Sequence, residues 1–111
     1  MVGIKSYGAY IPRYRMNHNT LFMAVAFLGS FPAPGENAVA NHDEDTLTMA
    51  VAAGIDCLSG MKRELVDGLY LATTSQPYMV RQNSALVATA LDLPSDIRTA
   101  DFMGSTKSGT T

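Results

Sequence analysis

Ile97-Arg-Thr-Ala-Asp-Phe-Met-Gly-Ser-Thr-Lys-Ser-Gly-Thr-Thr111 is the stretch on which the reading of this chain turns. A short, largely apolar run from Ile97 to Met103 breaks into a turn of small residues, Gly104 to Gly109. Such a junction is how a strand hands the chain to the N-terminus of a packed helix. Unpaired backbone N–H groups and the helix dipole there favour an anion or a nucleophile. No helical pattern follows Thr111. The expectation is the front part of a catalytic domain, ending where its chemistry would be mounted.

Working back from that turn, the chain alternates between helical and extended patterns. A helix is expected from about Val80 to Leu91, with Leu86, Val87, Ala90 and Leu91 apolar, stopping before Pro94. Ahead of it, Val66 to Thr74 reads as a buried strand followed by the turn Ser75-Gln-Pro77. The best helix is 45–58: His42-Asp-Glu-Asp-Thr46 supplies acidic caps, and Leu47, Val51, Ile55 and Leu58 make its apolar face before Gly60. Ala38-Val-Ala40 is a short extended piece, and Gly29 to Gly35 is a proline-rich loop. Asn17 to Leu28 patterns as a helix, with Asn17 or Asn19 as cap. Val2 to Ile11, closed by Pro12, reads as a strand of β-branched and aromatic residues. Helices alternating with apolar strands predict an α/β fold with parallel pairs and one domain over 1–111. Three strands make a narrow sheet, so residues 97–103 are expected to need cover from more chain or from a partner.

The 111 residues are 47% apolar, enough to fill one core. A net charge of −2 argues against nucleic acid or an anionic membrane as main partner. No apolar run approaches a membrane span, the nearest being Leu21 to Leu28. This balance reads as a soluble cytoplasmic protein. The single cysteine, Cys57, excludes an internal disulfide and any multi-cysteine metal site. Placed late in a helix, it lacks an N-terminal dipole to activate it and reads as a packing residue. His18 and His42 sit among asparagines, and the pair His42–Asp45 falls short of a tetrahedral set, so no metal is expected. Asp43, Glu44 and Asp45 read first as a helix cap. Tyr7, Tyr10 and Tyr14 with Arg13 and Arg15 suit either a binding surface or a half-exposed edge strand. Gly104 to Thr111 partly matches the phosphate-cradling pattern G-x-x-x-x-G-K-[ST], but Thr110 stands where the lysine is required.

Taken in order, these segments resemble a known family. Gly3-Ile4 followed by Tyr10-Ile-Pro-Arg-Tyr-Arg-Met16 is similar to the opening of 3-hydroxy-3-methylglutaryl-CoA synthases and their relatives in the thiolase superfamily. Glu36 through Asp43-Glu-Asp-Thr-Leu-Thr-Met-Ala50 is similar to an early family helix with its acidic cap, and Val66 to Thr74 to the next strand. Asp101 to Thr110 falls where the family carries its nucleophile turn. The resemblance covers nearly the whole chain but only the opening part of a family member.

The resemblance implies the N-terminal part of a thiolase-like αβαβα fold, a mixed or parallel sheet flanked by helices, with two halves enclosing an acyl-CoA. It implies an acyltransferase that condenses or cleaves acyl-CoA in lipid metabolism, with the coenzyme A thioester as substrate and no separate cofactor. It also implies a dimer made through the strand preceding the nucleophile, which fits the uncovered 97–103 run. Matching Gly109-Thr110 to the family turn places Thr106 at the nucleophilic cysteine, with Ser105 and Gly109 as substrate-binding neighbours. Thr74 falls at the general-acid/base glutamate. A threonine alcohol is a weak nucleophile without an adjacent base, and threonine cannot abstract a proton from an acetyl methyl group. Three readings follow: an incomplete, degenerate condensing enzyme; a non-catalytic acyl-CoA-binding or scaffold subunit; or an unrelated phosphate-binding α/β domain. The first two expect a homo-oligomer or a second subunit.

Overall fold

A computed structural model describes residues 2–18, 20 and 35–110. They divide into two compact units, one running to Tyr10 and resuming at Glu44, the other Ile11–Asp43. No composition shift marks either junction.

The smaller unit is a two-stranded antiparallel ribbon. Strand β1 (Tyr14–Asn17) pairs with β2 (Glu36–Val39), Tyr14 opposite Val39 and Asn17 opposite Glu36. The His18 N–H donates to the Gly35 carbonyl at 3.0 Å and prolongs the ladder. Asn17, expected as a helix cap, is the last residue of β1, and His18 and Thr20 beyond it are helical, which is compatible with a cap because an N-cap residue has extended backbone. Asn19, the alternative cap, the remainder of that expected helix from Leu21 to Leu28, and the loop to Pro34 lie outside the described residues. Of the extended piece expected at Ala38-Val-Ala40, Ala38 and Val39 are the end of β2 and Ala40 lies just beyond it.

The larger unit contains the βαβ arrangement anticipated from the alternating pattern. Helix α1 (Thr46–Cys57) starts at Asp45 in a reciprocal capping box. The Thr48 N–H donates to Asp45 Oδ1 at 2.9 Å, and the Asp45 N–H donates to Thr48 Oγ1 at 2.8 Å. Strands β3 (Gly68–Ala72) and β4 (Arg98–Phe102) are parallel and joined through helix α2 (Asn83–Ala90). Their register runs from Gly68↔Arg98 to Ala72↔Phe102. Leu47 of α1 meets Val87 and, beyond the end of α2, Leu91, with Leu69 and Leu71 of β3 packed beneath. The Arg63 guanidinium closes the far end of α2, donating from Nε to the Leu91 carbonyl at 2.6 Å.

Three expectations need correction. Ile55 is 52% exposed and does not belong to the apolar face of α1. At roughly 100° per residue it points about 80° away from Leu47, whereas Gly54 lies within about 20° of it. Gly54 takes the contact instead, and a Cβ there would lie 2.7 Å from Leu91 Cδ1. Gly54→Ala is thus expected to cost a net of about 1 kcal/mol, overpacking outweighing the helix propensity gained. Urea unfolding checks this, and a stabilised variant would contradict it.

The β3 strand is buried on one face only. Leu69 and Leu71 face the helices, while Tyr70 is 65% exposed on the other side. There Tyr70 meets Phe102 edge-on, with ring centroids 6.0 Å apart. Residues 2–11 form no strand at all. A strand needs a ladder partner, and residues 6–9 lie instead on the last turn of α1. Ser6 Oγ donates to the Cys57 carbonyl at 2.7 Å, and the Ala9 N–H donates to Asp56 Oδ2 at 3.2 Å.

Candidate functional site

Parallel neighbours bring their C-terminal ends to the same edge of a sheet, where α/β proteins place their ligands. Here β3 runs out through Thr73 and Thr74, and β4 through Met103 into the turn. The Thr73 N–H donates to the Phe102 carbonyl at 3.0 Å, so the two exits stay in register. Gly104 then takes φ +87°, a left-handed conformation that glycine adopts without strain. Beyond it, Ser108–Thr110 forms a single 3-10 turn.

That turn is held by its own hydroxyls. Ser108 Oγ donates to the Ser105 carbonyl at 2.5 Å, and the Lys107 N–H donates to Ser105 Oγ at 3.1 Å. The N–H groups of Ser108 and Thr110 donate to the carbonyls of Ser105 and Lys107. Three backbone donors of the turn, those of Lys107, Ser108 and Thr110, are thus engaged inside it and not aimed at a ligand.

Between the strand exits and the turn lies an open depression of about 360 Å³, lined by Ala72, Thr73, Thr74, Ser105, Thr106, Ser108 and Gly109. All four sequence-derived positions, Thr106, Thr74, Ser105 and Gly109, therefore line one site. Its lining carries hydroxyls and no ionisable side chain. The Thr74 wall is braced from α1: Thr46 Oγ1 donates to the Ser75 carbonyl at 2.9 Å and lies 3.0 Å from Ser75 Oγ. A second depression of about 260 Å³ shares Ala72, Ser108 and Gly109 and continues onto Tyr70 and Phe102.

The other candidates are not among its lining residues. Cys57 ends α1 as a free, part-buried thiol. His18 Nε2 is 2.9 Å from Asn37 Oδ1, and His42 Nδ1 is 2.9 Å from Asn41 Oδ1. Among the described residues no three His, Cys, Asp or Glu side chains converge as metal ligands. Arg13 sits over the Tyr14 ring at 5.9 Å, while the Tyr10 hydroxyl donates to Glu44.

One residue beside the site was not singled out by sequence reasoning. The Asp101 carboxylate, on β4, accepts the N–H groups of Asn83 and Ser84 at 2.7 Å each and the Asn83 side-chain amide at 3.2 Å. It caps α2 from another strand, and Gln82 at the cap position contributes no side-chain bond. Burial pushes the Asp101 carboxyl upward, but hydrogen bonds from Ser84 and Asn83 outweigh this and hold it below its ordinary value. The available signal was a carboxylate among the apolar residues Ala100, Phe102 and Met103.

This geometry is that of the thiolase-type synthase fold. A β-ketoacyl-[acyl carrier protein] synthase III from Thermus thermophilus superposes with TM-score 0.73 and 26% identity, over 93% of this chain and 33% of that one. Cerulenin-bound Xanthomonas campestris OleA gives TM-score 0.78 at 13% identity, over 90% of this chain and 35% of its own. No family model matches the chain. Its sequence is similar to the N-terminal part of hydroxymethylglutaryl-CoA synthases. It is 36% identical to that of Thermococcus gammatolerans over 111 residues and 34% identical to that of Pyrococcus furiosus, covering 98% of this chain in each case. The chain spans 31% of the length of these relatives. Among the described residues, no helix is long and apolar enough to cross a membrane.

Proposed function

We propose that this chain carries the nucleophile-side part of an acyl-CoA condensing or cleaving enzyme of the hydroxymethylglutaryl-CoA synthase and thiolase type. Thr106 stands at the nucleophile position and Thr74 at the general-acid/base position, with Ser105 and Gly109 as substrate-binding neighbours. The observation that carries this reading is the single depression walled by Thr74 on one side and Thr106 on the other. The similarity to hydroxymethylglutaryl-CoA synthases supports an acyl-CoA as substrate. The chain spans 31% of such relatives, and a complete site would draw on further residues, whether downstream in the same polypeptide or on another one. A cytoplasmic location goes with this reading.

The same depression also favours the second reading, an acyl-CoA-binding or scaffold role without covalent chemistry. Its lining offers hydroxyls but no imidazole, carboxylate or thiol to activate them. The two readings separate on incubation with radiolabelled acetyl-CoA in a Cys57→Ser background, which removes the native thiol. The chain carrying threonine at position 106 is expected to retain no covalent label. Thr106→Cys is expected to gain it, as the new thiolate attacks the thioester carbonyl and the coenzyme A thiolate departs with a proton from solvent. Label on native Thr106 would overturn the scaffold reading. Absence of label in the Thr106→Cys variant, together with no retention of acetyl-CoA by either protein, would overturn both.

A further inference from the structure

We infer that Asn83 is a positioning residue: a buried amide that fixes the loop from Ser75 to Gln82 in one conformation beside the candidate site. Asn83 is fully buried, yet its Oδ1 finds no hydrogen-bond partner. A buried amide oxygen left unpaired forfeits its hydration without return, so an apolar residue of similar volume would be cheaper if packing were its only task. The other half of the amide accounts for its retention. Nδ2 donates to the Tyr78 carbonyl at 2.9 Å and approaches the Arg81 carbonyl at 3.4 Å, while also reaching Asp101 Oδ2 at 3.2 Å. One side chain therefore gathers two carbonyls of the loop and a carboxylate of β4.

The loop is secured at its ends by independent bonds. Thr46 holds the Ser75 carbonyl at its start. Gln82 Nε2 donates to the Thr99 carbonyl of β4 at 2.9 Å at its finish. Arg81 lies over the Tyr78 ring at 5.5 Å within the loop. Between them Met79 and Val80 are 88% and 98% exposed. A loop free to rearrange would fold these apolar side chains onto the nearest surface. Because the loop begins directly after Thr74, the clamp also limits how far that wall of the depression can move.

Arg81 makes the inference testable, since trypsin cuts after arginine only when the flanking backbone can adopt an extended form. Asn83→Ala removes the clamp but leaves both backbone N–H groups of Asn83 and Ser84 on Asp101, so the cap of α2 persists. Limited trypsin digestion with mass-spectrometric readout should show the Arg81 bond cut at least about tenfold faster in this variant, equivalent to about 1.4 kcal/mol of lost local protection. Cleavage after Arg63 and Arg98 should be unchanged. Should Asn83→Ala fail to fold, Asn83→Ser retains a hydroxyl for Asp101 but is too short for Tyr78, and the same acceleration is expected. An Arg81 bond cut no faster than in the parent, in a folded variant, overturns the clamp. Acetyl-CoA titration of the unsubstituted protein is read separately: failure to bind counts against the proposed function and leaves the proteolysis result standing.

Discussion

Asp101→Ala is expected to lower the stability of the protein by about 2–4 kcal/mol, since hydrogen bonds to a charged acceptor contribute about 1.5–3 kcal/mol each and are not additive. The carboxylate receives two backbone N–H groups at 2.7 Å and the Asn83 amide at 3.2 Å. Asn83 and Ser84 are both fully buried, so water cannot replace the lost acceptor. No local side chain can take over, because the cap residue Gln82 makes no side-chain cap bond. Urea unfolding at neutral pH measures the loss, and an unchanged midpoint and slope would refute it.

The pH dependence follows from the same contacts. Hydrogen bonds hold the Asp101 carboxyl below its ordinary value in the folded protein. The unfolded state then binds the proton more readily, so the cap contributes fully above the unfolded pKa of about 3.9. The contribution is lost as pH falls through the lower, folded value. Between pH 5 and neutrality the difference between parent and Asp101→Ala should stay constant. It should shrink as acid titrates the parent, and a difference that persisted undiminished at pH 2 would mean the carboxylate charge is not what holds α2.

Much of this fold could be read from local pattern. The α1 cap was legible because Asp45 and Thr48 satisfy each other within one turn. The pairing of β3 with β4 followed from two short apolar runs separated by a helical one. Thr74 and Thr106 were named through the family resemblance alone; that both line one depression follows from β3 and β4 being parallel and ending at one edge. What escaped was set by distant partners. Asp101 caps a helix seventeen and eighteen residues upstream, and nothing in its own neighbourhood announces that task. Ile55 fits a four-residue spacing but loses its place to Gly54, because the neighbouring Leu91 comes too close for any side chain there. The 2–11 segment has strand composition but finds a helix end instead of a ladder. Composition reports what a segment could pair with; only the partner decides whether it does.

That segment supplies the other large effect, expected from Gly8→Ala. A Cβ at Gly8 would lie 2.4 Å from the Cys57 nitrogen, 2.5 Å from the Ala53 carbonyl oxygen and 2.9 Å from Cys57 Cα. All three are backbone atoms of α1, so no side-chain rotation relieves the clash. The segment must lift, taking with it the Ser6–Cys57 and Ala9–Asp56 hydrogen bonds. Overpacking against rigid backbone costs about 1–3 kcal/mol, and the two lost bonds bring the total to about 3 kcal/mol. The bond after Lys5 then becomes readily accessible to trypsin, and amide exchange over residues 2–10 accelerates while β3 and β4 remain protected. Gly3→Ala is the matched control, because nothing lies within 4 Å of a Cβ there. Equal cleavage after Lys5 in the two variants would mean that residues 6–9 do not rest on the end of α1.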